Sequence, residues 1–337
     1  MFTLLDHNGS LKAESQAIEV KQLTKAFGSV TAIDRLSFSI CRGEIIGFLG
    51  PNGAGKSTTL RILSGIIPAT SGYAAICGIP IAAYPYEVKR LIGYLPENNP
   101  LPKSMRVEEY LRFRARLKEI PRPKVRQRVQ EVMELCDLYR TVRSSLIGVL
   151  SKGFRQRVGI ADVLLAEPEV LMMDEPTVGL DPHQVIGLRD IIQNLSQGRT
   201  VIISSHILPE IEHYCDRFII INQGHITGDG SLSSLYQQFF GCDTFLLQVS
   251  GELPILRQLL DTIDPSITLE VLNPSEGDGF MGVKLSTPAN AELGEPILNT
   301  LAQAMGIRIR CFNYERPSLE TLFLASTRKA WKEKQGG

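Results

Sequence analysis

Short apolar runs rich in β-branched residues recur from Ile18 to about Gly230, separated by stretches with helical periodicity. The clearest runs are Glu44–Leu49, Ile92–Leu95, Val170–Asp174, Val201–Ser205 and Phe218–Asn222. Runs this apolar, alternating with amphipathic helices, predict strands buried on both faces of a parallel sheet. Between Val107 and about Leu165 the pattern is almost wholly helix-like, and Pro121 and Pro123 mark a break within it. That stretch predicts a helical insertion, about residues 100–165, in an α/β core spanning 17–240, with a loose tail over 1–16. After Gly241 the order reads strand (Thr244–Ser250), helix (Leu253–Ile263), strand (Thr268–Leu272), strand (Phe280–Leu285), helix (Ala289–Met305), strand (Ile307–Tyr314). A βαββαβ order predicts a small ferredoxin-like α+β domain over 241–337. A last amphipathic helix is predicted from Pro317, with Leu319, Leu322 and Phe323 on one side and a basic end, Arg328 to Lys334.

The run Glu44–Leu49 feeds directly into Gly50-Pro51-Asn52-Gly53-Ala54-Gly55-Lys56-Ser57, and Thr58 opens a helix-like stretch. This is G-x-x-x-x-G-K-[ST] in its strand–loop–helix setting, the phosphate-binding loop. Glycines let the backbone wrap closely round a polyphosphate, so that successive N–H groups and the following helix N-terminus face the anion. Lys56 is placed to reach the β- and γ-phosphates and Ser57 to ligate Mg²⁺. The motif predicts binding of ATP or GTP. Downstream, Val170–Met173 runs into Asp174 and Glu175, two carboxylates at the carboxyl edge of a strand, where ligands bind in such sheets. Asp174 suits a Mg²⁺ shell, and Glu175 suits the orientation or deprotonation of an attacking water.

Composition narrows the classes without choosing among them. The 337 residues suit two domains. Thirty-six basic residues balance thirty-six acidic ones, so no global field favours nucleic acid or anionic lipid. Locally, Lys103 to Arg128 holds ten Lys/Arg against three Glu, which reads as a solvated helical face or as a surface near anionic headgroups. Six scattered cysteines fit neither a metal site nor a disulfide framework and suit a cytosolic protein. The first twelve residues lack the pattern of a signal peptide, and no apolar run approaches eighteen residues, so the chain is expected to span no membrane by itself.

With these motifs in this order, residues 18 to about 235 resemble the nucleotide-binding subunit of ATP-binding cassette (ABC) transporters. Leu150-Ser151-Lys152-Gly153-Phe154-Arg155-Gln156-Arg157 is similar to the family signature L-S-G-G-Q, with Lys152 in place of a Gly and Phe154 in place of the Gln. Gly179-Leu180-Asp181 resembles the D-loop, His206 the switch histidine near the γ-phosphate, and Phe27 the aromatic that stacks on adenine. Glu97 stands where the family usually has Gln. Together with the L-S-K-G-F-R-Q-R variant and Pro317-Ser318-Leu319-Glu320, it resembles the branch of drug-exporter, sodium-exporter and gliding-motility subunits.

The resemblance implies catalytic Glu175, His206 and Lys56. It implies nucleotide contacts from Phe27, residues Gly50 to Thr58, Glu97, Ser151, Gly153 and Asp181, and Mg²⁺ held by Ser57, Asp174 and Glu97. It further implies a partner permease, pairing with a second cassette (a second copy or a relative), no nucleic acid, and a peripheral place on the inner face of the cell membrane. DNA-repair and chromosome ATPases of similar type insert a long coiled coil between phosphate loop and signature. Here fewer than a hundred residues separate Lys56 from Ser151, with no sustained heptads. Translation-associated relatives carry two cassettes, and this chain has one set of motifs. A purely regulatory module is disfavoured by the presence of both Glu175 and His206.

Overall fold

A computed structural model describes residues 16–195, 198–206, 211–212, 215–273, 279–288, 292–315 and 321–326. The chain divides into two compact units, one running to Ser231 and the other starting at Leu232.

The first unit opens with two long antiparallel strands, β1 (Gln16–Phe27) and β2 (Val30–Cys41), joined at Gly28–Ser29. β3 (Ile45–Leu49) leads through the glycine-rich loop into α1 (Lys56–Leu63). β4 (Ser71–Ile76) and β5 (Ile79–Pro80) complete a four-stranded antiparallel sheet in the order β2-β1-β4-β5. Then come α2 (Pro85–Leu91) and β6 (Ile92–Leu95). The helical insertion comprises α3 (Val107–Leu117), α4 (Arg122–Leu135), a 3₁₀ turn at Ile147–Val149, and α5 (Lys152–Leu164). Pro121 and Pro123 sit at the start of α4, where a missing N–H costs nothing, so the expected break between helices is the boundary of α3 and α4.

β7 (Val170–Asp174), α6 (Pro182–Leu195), β8 (Thr200–Ser205), β9 (Arg217–Asn222) and β10 (His225–Gly230) finish the unit. The six-stranded sheet has the order β10-β9-β3-β8-β7-β6, parallel throughout except for β10 at its edge. Every residue of β7 and β8 is buried, as their apolar runs require. Strands β3, β8 and β7 are neighbours, so the loops leaving their carboxyl ends converge on one place.

The insertion is fastened to itself by a buried charge cluster. Asp162 on α5, only 7% exposed, accepts hydrogen bonds from Arg114 Nε at 2.9 Å and from Tyr110 Oη at 3.1 Å, both on α3. Lys118 Nζ lies 3.6 Å from the same carboxylate. Burial, and next the Asp162 charge, raise the Tyr110 hydroxyl well above its ordinary pKa.

The second unit begins one element earlier than the sequence pattern indicates. The expected boundary near 240 marks where recognisable motifs stop, whereas the fold breaks at Ser231. Helix α7 (Leu232–Phe240) runs through Gly241 straight into β11 (Cys242–Ser250) and belongs to the second unit. α8 (Leu253–Ile263), β12 (Thr268–Asn273), β13 (Met281–Pro288), α9 (Gly294–Gln303) and β14 (Arg308–Glu315) give the βαββαβ order. Their antiparallel sheet, β12-β13-β11-β14, is that of a ferredoxin-like fold. Phe245, Leu247 and Val249 of β11 meet Leu256 and Leu260 of α8 and Ile297 and Leu301 of α9 in one core. The tail expected over 1–16, apart from Gln16, the segment Pro317–Glu320 and the basic end after Arg328 lie outside the described residues. Residues 321–326 are helical, with Leu322 buried.

Candidate nucleotide site

The site is assembled at the carboxyl ends of β3, β7 and β8. Gly55 caps α1 with φ +109°, a conformation open to glycine, and a Cβ there would stand 2.7 Å from the Ala32 carbonyl oxygen. The loop is closed by Ala54 N–H donating to the Pro51 carbonyl at 3.1 Å. Lys56 is 5% exposed. Its Nζ donates to the Gly50 carbonyl at 2.7 Å and to the Pro51 carbonyl at 3.3 Å, and lies 3.2 Å from Glu175 Oε1. The ammonium is therefore held at the mouth of the loop by carbonyls on one side and a carboxylate on the other.

Asp174 and Glu175 are both buried. Ser57 Oγ donates to Asp174 Oδ1 at 3.0 Å, and Ser204 Oγ on β8 donates to the same oxygen at 2.7 Å. Tyr94 Oη, on β6, is 3.4 Å from Asp174 Oδ2. Burial, and next the Asp174 charge, push the Tyr94 phenol up to about 12, so Tyr94 is a neutral donor. Glu175 N–H is shared between Ser204 Oγ at 2.9 Å and the Ser204 carbonyl at 3.2 Å. Its backbone is left-handed, φ +49°, a strained conformation for a residue with a side chain. That turn aims the carboxylate back over the loop, where Oε2 meets His206 Nδ1 at 2.8 Å.

Pro51, Asn52, Gly53, Gly55, Lys56, Ser57, Thr58, Glu97, Glu175 and His206 line one cavity, together with Ala32 and Val178. Gly50 and Ala54 shape the loop from behind, and a Cβ on Gly50 would lie 2.3 Å from the Ile221 carbonyl oxygen. The donor set fits MgATP. A hydroxyl and a carboxylate side by side are hard oxygen ligands, and a buried ammonium with loop N–H groups suits phosphate oxygens. Glu97 is exposed and reaches this cavity.

The remaining expected residues lie elsewhere on the same unit. Phe27 is 51% exposed at the end of β1, with Lys25 Nζ 4.9 Å from its ring centroid. Ser151 caps α5, its Oγ accepting from Phe154 N–H at 3.3 Å, and Asp181 caps α6 by accepting from Gln184 N–H at 2.9 Å. A Cβ on Gly153 would lie 2.6 Å from Gln184 Oε1, and one on Gly179 would lie 2.5 Å from Lys152 Nζ. The starts of α5 and α6 are thus packed on each other, away from the cavity lining.

Sequence reasoning missed Ala32, Val178, Tyr94 and Ser204. Ser204 had a visible signal, the first of two serines that close the buried apolar run Val201–Ile203 ahead of His206. Ala32 and Val178 have no chemistry that would single them out.

A family profile for ABC transporters matches residues 33–178. The chain is 32% identical to a linearmycin resistance ATP-binding protein of Bacillus subtilis (strain 168), across 94% of this chain and 100% of that protein. It is 35% identical to a Nod factor export ATP-binding protein of Ralstonia nicotianae, covering 72% of this chain and 75% of the relative. Among solved structures it is similar to cbiO1 from Clostridium perfringens, part of the cbiONQ transporter complex. That similarity has a TM-score of 0.62 at 28% identity, over 67% of this chain and 92% of cbiO1.

Proposed function

The chain belongs to the ATP-binding subunits of ABC transporters, whose activity is ATP hydrolysis coupled to transport, and from that premise we propose that it drives export through a separate membrane permease. The relatives named for resistance and for export support the direction. The observation that carries its hydrolytic part is the Glu175 carboxylate, held between Lys56 at 3.2 Å and His206 at 2.8 Å over the phosphate-binding loop.

In this reading the loop N–H groups and Lys56 hold the β- and γ-phosphates, while Phe27 stacks on adenine. Ser57 and Asp174 would hold Mg²⁺, with Glu97 lining the same cavity, and the ion would supply neutralisation of phosphate charge. Ser204 and Tyr94 fix Asp174 for that task. Glu175 orients the attacking water and takes its proton, and His206 fixes the Glu175 carboxylate and faces the γ-phosphate. Ser151, Gly153 and Asp181 serve the nucleotide of a second cassette, which accounts for their distance from this chain's own cavity. A bacterial ABC transporter cassette of similar fold has been solved as a dimer. The partner here is a second copy or a relative, and the pair sits at the inner face of the membrane through its permease. Among the described residues no helix is long and apolar enough to cross a membrane.

The test is purification of the protein from its own membranes in mild detergent, with identification of the proteins that accompany it. A stoichiometric membrane protein whose presence changes the ATPase rate is the expected result. ATPase activity recovered with no such companion, and indifferent to any membrane fraction, would overturn the proposal.

A further inference from the structure

The helical insertion carries a cationic face that nucleotide chemistry does not use. Arg112 and Arg116 on α3 and Arg122 and Arg126 on α4 line one cavity, joined there only by the apolar Val125. All four arginines are exposed. Arg112 pairs with Glu108 at 2.6 Å, while Arg116, Arg122 and Arg126 have no carboxylate within 4 Å among the described residues. The N-terminal end of α4, where Arg122 stands, adds its own positive partial charge. Three of the four lack a paired carboxylate, and a guanidinium cluster of this kind matches phosphate oxygens in geometry and sign. Beside it on α3, Phe113 is 49% exposed and Leu117 58% exposed. Arginines interleaved with exposed apolar side chains match the border between headgroups and acyl chains better than they match a soluble anion.

We propose that this α3–α4 face is a contact for anionic phospholipid headgroups, holding the subunit against the bilayer independently of the permease. The contact is electrostatic and reversible. It goes beyond the transport reading and does not depend on it, since it concerns the chain without its partner.

The test is sedimentation of the full chain with protein-free vesicles of phosphatidylglycerol or of phosphatidylcholine. Binding to the first and not the second is expected at about 0.1 M salt, and its loss at about 1 M, where the screening length falls to about 3 Å. R116A/R126A should weaken binding by about 25-fold, roughly fivefold per arginine. The control K21A/R35A, with the same loss of charge on the antiparallel sheet, should bind nearly as wild type. ATPase activity of R116A/R126A in solution should equal that of wild type, which also verifies folding. Equal binding to both lipids, or equal weakening by the control pair, would overturn the proposal. So would saturable binding of inorganic tripolyphosphate at these arginines without vesicle binding, which would identify a soluble-anion site. Binding that appears only when permease is reconstituted into the vesicles would assign the face to an acidic protein segment instead. ATPase stimulation by permease is read separately, so failure of the lipid contact leaves the transport reading intact.

Discussion

Glu175 Oε2 and His206 Nδ1 stand 2.8 Å apart, contributed by adjacent strands that end side by side. Register places Asp174 opposite Ser204, so Glu175 and His206 leave the sheet from neighbouring strand ends. Glu175→Gln keeps the shape and removes the proton acceptor and its charge. Hydrolysis should slow by roughly 10²–10⁴-fold, the usual worth of a general base, with ATP binding retained. An ATP-bound dimer should accumulate on size-exclusion chromatography. Unchanged turnover would show that another group is the base.

Ser204→Ala tests the anchor beneath both carboxylates. One hydroxyl serves Asp174 Oδ1 and the Glu175 N–H, and its loss leaves buried polar groups under-satisfied. Removing a hydrogen bond to a charged group costs about 1.5–3 kcal/mol, visible as a lower denaturant midpoint at constant slope. ATPase activity should fall as well. Wild-type values for both would mean that neighbouring groups hold the carboxylates without Ser204.

Much of this is legible in the sequence, for a physical reason. β3, β7 and β8 are buried on both faces, so their apolar runs stand out, and the residues at their ends carry unmistakable chemistry. Their convergence is implied by the parallel-sheet pattern alone. The pairing of β1 with β2 is less legible, because half-exposed strands such as Val30–Cys41 mix polar and apolar positions irregularly and carry register shifts. Gly241 reads as a boundary because motifs end there, whereas the break at Ser231 depends on packing that no local pattern encodes. Tyr94 is invisible for a related reason, since its role comes from β6 pairing with β7.

Glu97 is exposed and lines the nucleotide cavity. A carboxylate is a stronger oxygen ligand for Mg²⁺ but has no donor when ionised. Glu97→Gln should retain ATPase activity while shifting its Mg²⁺ dependence or its stimulation by the permease. Glu97→Ala should disturb coupling more than nucleotide affinity. Wild-type behaviour of both variants would reduce Glu97 to a solvated loop residue.

Phe27 has an exposed ring with a lysine over one face. If the ring stacks on the base, Phe27→Ala should weaken nucleotide binding by about 1–3 kcal/mol. ATP and GTP should lose similar amounts, because a ring face reads no hydrogen-bond pattern. Titration of fluorescent analogues of both nucleotides measures this, and unchanged affinity would remove Phe27 from the site.

Alkaline stability tests the buried phenol. Tyr94 is raised to about 12 in the folded chain, against an ordinary value near 10 when unfolded. Between those values the folded state binds more protons, so stability present below about pH 10 is lost as the pH rises towards 12. Tyr94→Phe should flatten part of that decline in denaturant midpoints. Tyr110→Phe should flatten a further part, since its hydroxyl is raised by the same causes. An identical decline in both variants would show that other groups control it.

The clasp of Asp162 on Arg114, Lys118 and Tyr110 ties α3 to α5 at one carboxylate. Asp162 is the buried member, so leaving its charge without these partners would be costly. Arg112 and Arg116 ride on α3, and Ser151 caps α5. Whatever grips α3 from outside is thereby joined to α5 through the Asp162 carboxylate.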